Sequence, residues 1–436
     1  MPSNYHNLTA PADWISELGN EDETVRLNAL KSAVEEGKIQ PPPFSRDVNN
    51  HVHTRYSFSP YSPVEVAYFA RISGLQVVGS VDHDSISAAG EMKQAASLLR
   101  MGSTVGVEVR VSFEHTPFAD RRLNNPDTRG NAYIVFHGVP PSGWSSISSW
   151  LQPIHRAREE RNRRMVERMN HEVGSLLGSL SYDRDILPLS WAEKGGSVTE
   201  RHILYGLALR ILEQVESPKM VIPFLEEKLH VEVPEKIKGW LLEPGNPHMA
   251  YDILGVLKAE FLPRIFLQPE SAECPPVEEA TALARNVGAI PAYAYLGDVS
   301  HSPTGDKKAQ TFEDSYLEEL FQALPELGFQ AVTYMPPRNT LEQLKRLQTL
   351  ATTQGLMEIS GVDINSSRQR FVCPEIHRPE FQHLIETTWA LVGHEVLTEK
   401  NPEAGLFGPE SPFARESLSR RVEEYARIGR EAVPRA

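Results

Sequence analysis

The sequence predicts an α/β fold: a distorted (β/α)7 barrel with a mainly helical insertion subdomain and helical N- and C-terminal extensions. Three observations predict it. Short apolar, β-branched runs alternate with amphipathic helical stretches, the pattern of a parallel sheet or barrel. Seven strand-like segments can be counted, one fewer than an eightfold barrel requires. The alternation stops near Gly138 and resumes only after a long helical stretch. The expected divisions are an N-terminal extension over 1–46, a barrel over 47–148 and 255–378, an insertion over 149–254 and a C-terminal helical segment over 379–436.

Taken in order, the first extension reads as one or two helices, with Trp14, Ile15, Leu18, Val25, Leu27 and Leu30 as the apolar face and Pro41-Pro42-Pro43 as the stop. The run DVNNHV from Asp47 reads as the first strand and carries His51, with His53 just beyond it. Ser62-Pro63-Val64-Glu65 then offers a capping Ser, a Pro at the first helical position and a Glu to close the box, so a helix begins there. The strand LQVVGSV ends in Asp82-His83-Asp84, the strand TVGVEVRVSF carries Glu108, and NAYIVF ends in His137. The insertion contains the Arg-rich helix HRAREERNRRMVERMNHEVGSLLG and the helix SVTERHILYGLALRILEQ. Afterwards the strands AIPAYAYLG, FQAVTYM and LMEISGV follow in turn, the last ending in Asp363.

Composition limits the function classes. The 436 residues carry 44 Lys+Arg against 58 Asp+Glu, a formal charge of -14. That disfavours broad nucleic-acid or membrane binding. Two cysteines, Cys274 and Cys373, build no disulfide framework and fit a reducing, cytoplasmic setting. The first residues show no signal-peptide pattern, and no apolar run reaches membrane-spanning length.

The chemistry gathers at strand ends. His51 and His53 are two residues apart, so on a strand both point the same way and can grip one ion. Asp82, His83, Glu108, His137 and Asp363 also fall near strand ends, which converge on one mouth in a parallel barrel. Imidazoles and carboxylates together suit Mn, Fe or Zn.

In this order and spacing the residues resemble the polymerase-and-histidinol-phosphatase superfamily of metal-dependent phosphoesterases. The resemblance covers roughly 47–140 and 275–370. His51-Val52-His53-Thr54 resembles the first motif of that family and Val81-Asp82-His83-Asp84-Ser85 the second. Gly106-Val107-Glu108, Phe136-His137-Gly138 and Gly361-Val362-Asp363-Ile364-Asn365 resemble the third, fourth and last. The resemblance implies up to three ions. One would be held by His51, His53, Glu108 and Asp363, and a second by Glu108, His137 and a His of the fifth strand. A third would use an Asp after the first motif and the His residues of the second and last motifs.

The chain departs from that pattern. Tyr293 stands in the fifth-strand His place, Asn365 in the last His place, and Ser57 and Ser59 where an Asp is usual. Tyr293, Asn365, Asp298 and His301 are therefore the candidate substitute ligands. Lys307, Lys308 and Arg338 are candidate phosphate-binding cations, with solvated loop charges as the alternative. The insertion resembles that of the nucleotide-phosphatase subgroup, with Arg161, Arg163 and Arg164 in its first helix and Glu200-Arg201-His202-Ile203 near an Arg-x-His-Ile signature. His202 is carried over as a substrate-binding candidate. Arg201 is shifted by one position, about 100° on a helix. The alternative for the Arg-rich helix is intrahelical pairing with Glu159, Glu160 and Glu167 on a solvated face.

The function expected is metal-dependent hydrolysis of a small phosphorylated substrate, with one to three divalent ions and with His83 or Asp82 as general acid/base. The alternative is a non-catalytic metal- or phosphate-binding protein of the same fold. A nuclease working through the basic insertion ranks below both.

Overall fold

In the computed structural model, residues 13–125, 128–299 and 311–434 are described. Seven strands form one sheet in chain order: β1 (Val48–Val52), β2 (Val77–His83), β3 (Gly102–Ser112), β4 (Asn131–His137), β5 (Ile290–Ala294), β6 (Ala331–Tyr334) and β7 (Met357–Ser360). The sheet curls until its edges meet. Val52, at the end of β1, forms a parallel bridge with Ile364, just beyond β7.

A fully parallel sheet is expected from the sequence, and here the structure differs. β4 runs antiparallel to both β3 and β5, while the remaining neighbours are parallel. The cause is the connection. Residues 113–130 contain no helix among their described residues. A parallel return needs a crossover, usually helical, whereas an antiparallel return can be made by a loop.

The reversal places the next element. Helix α5 (Pro141–Leu177) has 37 residues, so it is about 55 Å long. It starts at the foot of the sheet, where Gly143 packs against Val287. It rises past Phe136, whose ring lies 6.2 Å from that of Trp150, and reaches the level of Asp84, whose carbonyl oxygen is 2.5 Å from His155 Nε2. Beyond that point it joins helices α6 (Glu200–Gln214) and Met249–Glu260 around a separate apolar cluster that includes Met165, Leu204, Leu207, Leu257 and Phe261.

At the N-terminus, α1 (Asp13–Glu17) and α2 (Glu23–Glu35) cover α3 (Pro63–Ile72) and α4 (Ala89–Leu98). The expected apolar face is partly wrong. Leu18 and Leu30 are fully buried, but Val25 is exposed and Arg26 is buried instead. The buried stripe of α2 is Arg26, Ala29, Leu30 and Ala33, at helical spacing. Arg26 is tolerated there because its Nε donates to Glu91 at 2.6 Å and a second nitrogen meets the other carboxylate oxygen. The box at Ser62 forms as read: Glu65 N–H donates to Ser62 Oγ and Ser62 N–H to Glu65 Oε2.

The C-terminal helices His383–Thr398 and Leu418–Ala432 close the back of the sheet. They approach so closely at Gly393 that a Cβ there would lie 1.9 Å from the Tyr425 carbonyl oxygen. His394 ties this pair to the sheet. Its Nε2 lies 3.1 and 2.9 Å from the carbonyl oxygens of Gly138 and Gly288, and its Nδ1 accepts the Leu406 N–H.

Candidate metal centre

Ladder partners share a face of a sheet, and successive residues alternate faces. His83 pairs with Glu108, so both point inward from adjacent strands. His51 lies within β1 and His53 just past its end. Gly361 lets β1 come close, since a Cβ there would lie 2.5 Å from the Cβ of His51.

The result is a compact group. Glu108 Oε2 lies 3.6 Å from His51 Nε2, 3.7 Å from His53 Nε2 and 3.1 Å from His83 Nδ1. Asp363 Oδ1 lies 3.1 Å from His53 Nε2. The rings of His53 and His83 stack with centroids 4.6 Å apart. His51, His53 and Glu108 bring their ligand atoms close enough together to hold one ion.

The donor set fits a divalent cation. Nε2 of His51, of His53 and of His137 is buried without a hydrogen-bond partner among the described residues. Leaving such atoms unpaired in a protein interior is costly unless something binds them. Neutral imidazole nitrogens beside ionised carboxylates are what Mn, Fe or Zn takes up.

The electrostatics agree. Burial opposes ionisation of Glu108, but the imidazoles of His83, His51 and His53 outweigh it and hold the carboxyl down to about 2. Asp363 is likewise held well below the usual range: burial opposes its charge, and His53 and His51 overcome that. Burial pushes His83 and His137 down to about 3, so both imidazoles are neutral at ordinary pH. His51 moves upward, because Glu108 more than offsets its burial.

Asp82 faces away from Glu108 and supports the cluster from behind. It accepts the Thr54 N–H at 2.7 Å, the Thr54 hydroxyl at 2.6 Å and the Ser57 hydroxyl at 2.6 Å. His137 is buried beside His51 and Glu108, whose charges act on it. Because β4 is reversed, His137 sits opposite Gly106, towards the foot of the sheet, while Glu108 pairs with Val135. It therefore approaches from below the mouth, not from the shared rim of strand ends expected from the sequence.

The substitute ligands are placed differently. Tyr293 pairs with Ile134, on the face opposite Val135 and Glu108, and packs edge-on against Phe329 at 6.0 Å. It is not brought to the cluster. Asp298 accepts the Phe312 N–H. His301, Lys307 and Lys308 lie outside the described residues. Arg338 donates to the Leu296 carbonyl oxygen at 3.0 Å. Asn365 does reach the centre: its Nδ2 donates to Asp363 Oδ1 at 2.6 Å.

His202 is a cap of α6, not an open side chain. Its Nδ1 accepts the Thr199 N–H at 3.0 Å, its ring packs edge-on against Phe58, and burial pushes it down to about 3. Arg163 pairs with Glu159 as intrahelical pairing predicts, but also with Asp183, and Arg164 reaches Glu270. Arg161 corrects that reading. It is buried and pairs with Glu273 and Glu200, in a group that also takes in Arg110, Arg158 and Asp84.

Two residues were missed as site candidates. Arg201 donates to Asn365 Oδ1, and its charge helps to keep Asp363 ionised. No local pattern signals that contact. Tyr133 lies on the inward face of β4, paired with Arg110, and its ring centroid is 5.4 Å from that of His83. Its four-residue spacing from His137 on one strand was the available signal.

No family model matches this sequence, and neither does any curated protein sequence. Among solved structures, the chain is similar to a candidate metal-dependent phosphoesterase from Bifidobacterium adolescentis, at 18% identity and a TM-score of 0.51, covering 80% of this chain and 98% of that one. It also aligns with an amidohydrolase from Chromobacterium violaceum at 18% identity and a TM-score of 0.47, covering 78% and 95%. The first likeness shows a shared fold.

Proposed function

We propose that this protein is a metal-dependent hydrolase of small phosphate esters, akin to the polymerase-and-histidinol-phosphatase superfamily. The observation that carries the reading is the gathering of His51 and His53 Nε2 within 3.7 Å of the buried Glu108 carboxylate, close enough to share one ion, with Asp363 against His53. The fold shared with a candidate metal-dependent phosphoesterase supports it.

His51, His53, Glu108 and Asp363 are the holding residues, with His137 completing the set from below. A divalent cation there supplies a Lewis acid that polarises a phosphoryl oxygen and makes bound water more acidic. Among the chain's own groups, His83, 3.1 Å from Glu108 at the rim of the cluster, is the proton-handling candidate. Asp82, acting through Ser57 and Thr54, fixes the first-motif loop. Arg201 adds positive charge at the rim through Asn365. Lys307, Lys308 and Arg338 are the further phosphate-binding candidates.

The test is phosphate release from nucleotides and sugar phosphates, with Mn²⁺ and with chelator. Mn²⁺-dependent release that His51→Ala and Asp363→Ala abolish is the expected result. Well-folded protein that releases phosphate with no metal supplied, or full activity in both variants, would sink the proposal.

A further inference from the structure

The mouth holds a hydroxyl whose setting the metal cluster does not explain. Tyr133 and Arg110 are ladder partners, one inward-facing position above the pair Glu108 and Val135. Arg110 donates to the Tyr133 phenolic oxygen at 2.6 Å. Arg110 is itself buried and anchored, 2.8 Å from Glu273 and 3.3 Å from Glu200. A hydroxyl oxygen that accepts from a fixed guanidinium keeps its own proton to give elsewhere. No acceptor for that proton occurs among the described residues.

The neighbours set the direction. The Tyr133 ring adjoins His83 and His83 stacks on His53, a row of three rings with centroid spacings of 5.4 and 4.6 Å. Tyr133 stands one inward-facing ladder position above His83, and both are partly exposed, whereas His53 is fully buried. A phosphate ester with its phosphorus at the cluster would extend its leaving oxygen outward along this row.

We infer that Tyr133 is a catalytic proton donor to the leaving group, with Arg110 as its positioning residue. This inference rests on the phosphoesterase reading above. In the step, water oxygen bonds to phosphorus and the bond from phosphorus to the ester oxygen breaks. The electron pair leaves on the ester oxygen, which takes the phenolic proton and departs as an alcohol. The phenolate, stabilised by the Arg110 guanidinium, regains a proton from the one shed by the attacking water. One water is consumed and the enzyme is restored.

Leaving-group dependence tests this without relying on fold. Tyr133→Phe removes one oxygen and leaves Arg110 its carboxylate partners, so the melting temperature should move little. p-Nitrophenyl phosphate expels a stable anion that needs no proton, whereas an alkyl phosphate expels a strong base. With Mn²⁺, the variant should keep p-nitrophenyl phosphate turnover within about threefold of the unmodified protein and lose about a hundredfold on the alkyl ester. Equal losses on both substrates, or none on either, would overturn the role of Tyr133 while leaving the phosphoesterase reading intact. Unmodified protein inert on every ester would overturn both.

Discussion

Ser57 gives its hydroxyl proton to Asp82 Oδ1 at 2.6 Å. Its oxygen is 3.2 Å from His53 Nδ1 and can accept the proton there. That pins the His53 tautomer with the proton on Nδ1 and leaves Nε2 as a lone pair facing Glu108 and Asp363. Outer partners of this kind tune metal affinity by 10–100-fold. Ser57→Ala should therefore weaken Mn²⁺ or Zn²⁺ binding by about that factor, read by competition with a chelating dye. Unchanged affinity would remove Ser57 from the site's support.

Gly361 predicts a steric effect. Ala at this position would press its Cβ into the backbone and Cβ of His51, at 2.6 and 2.5 Å. Neither atom belongs to a flexible side-chain end, so β1 must move. The expected outcome is a melting point several degrees lower, together with reduced metal stoichiometry measured by elemental analysis. A stable variant with full metal content would contradict the geometry.

The buried pair Arg26 and Glu91 should behave asymmetrically. Both side chains are 1% exposed. Arg26→Met strands a carboxylate that burial already pushes upward in pKa. Breaking such a pair typically costs about 3–5 kcal/mol, whereas replacing both partners with apolar residues is far milder. Urea unfolding of Arg26→Met and of Arg26→Met with Glu91→Leu should show most of the loss recovered in the double variant.

His394 predicts acid sensitivity. Burial depresses its pKa to about 4, against about 6.5 in the unfolded chain. Between those values the unfolded state binds the proton and the folded state does not, so stability falls as pH drops. The contribution is flat above pH 6.5 and reaches about 3 kcal/mol of loss near pH 4. His202, depressed by burial to about 3, acts in the same direction. The urea midpoint should fall steadily from pH 7 to pH 4.5; a constant midpoint would refute the assignment.

The candidate ligand types and their order are legible in the sequence because strand parity is a local property. His51, Val52 and His53 need no knowledge of distant chain to read as a gripping pair, and Glu108 and His83 end up adjacent as their strand positions imply. Strand direction is not local. His137 lies near His51 and Glu108, whose charges act on it, but nothing within NAYIVFH tells that its strand is reversed. Tyr293 fails for a related reason. Whether it faces inward depends on its ladder partner Ile134, roughly 160 residues away in the chain. Arg161 looked solvated because its nearest acids in sequence are helical neighbours, whereas its partner Glu273 arrives from the far end of the helical stretch. Helix periodicity alone also misjudged Val25 and Arg26, since only the acid on α4 makes burial of an arginine acceptable.

The single reversed strand also determines how the helices beyond it can move. Because β4 delivers the chain to the foot of the sheet, α5 climbs the whole wall before it meets α6, and so acts as a strut footed far from the mouth. A strut of this length resists bending except where its hydrogen-bond ladder is interrupted. Pro153 makes that interruption, leaving the carbonyl of Ser149 without its usual helical donor. Above it, Arg158 and Arg161 grip Asp84 and Glu273 like guy lines. Any swing of the upper helices would turn about Pro153 and would first have to slacken those two anchors.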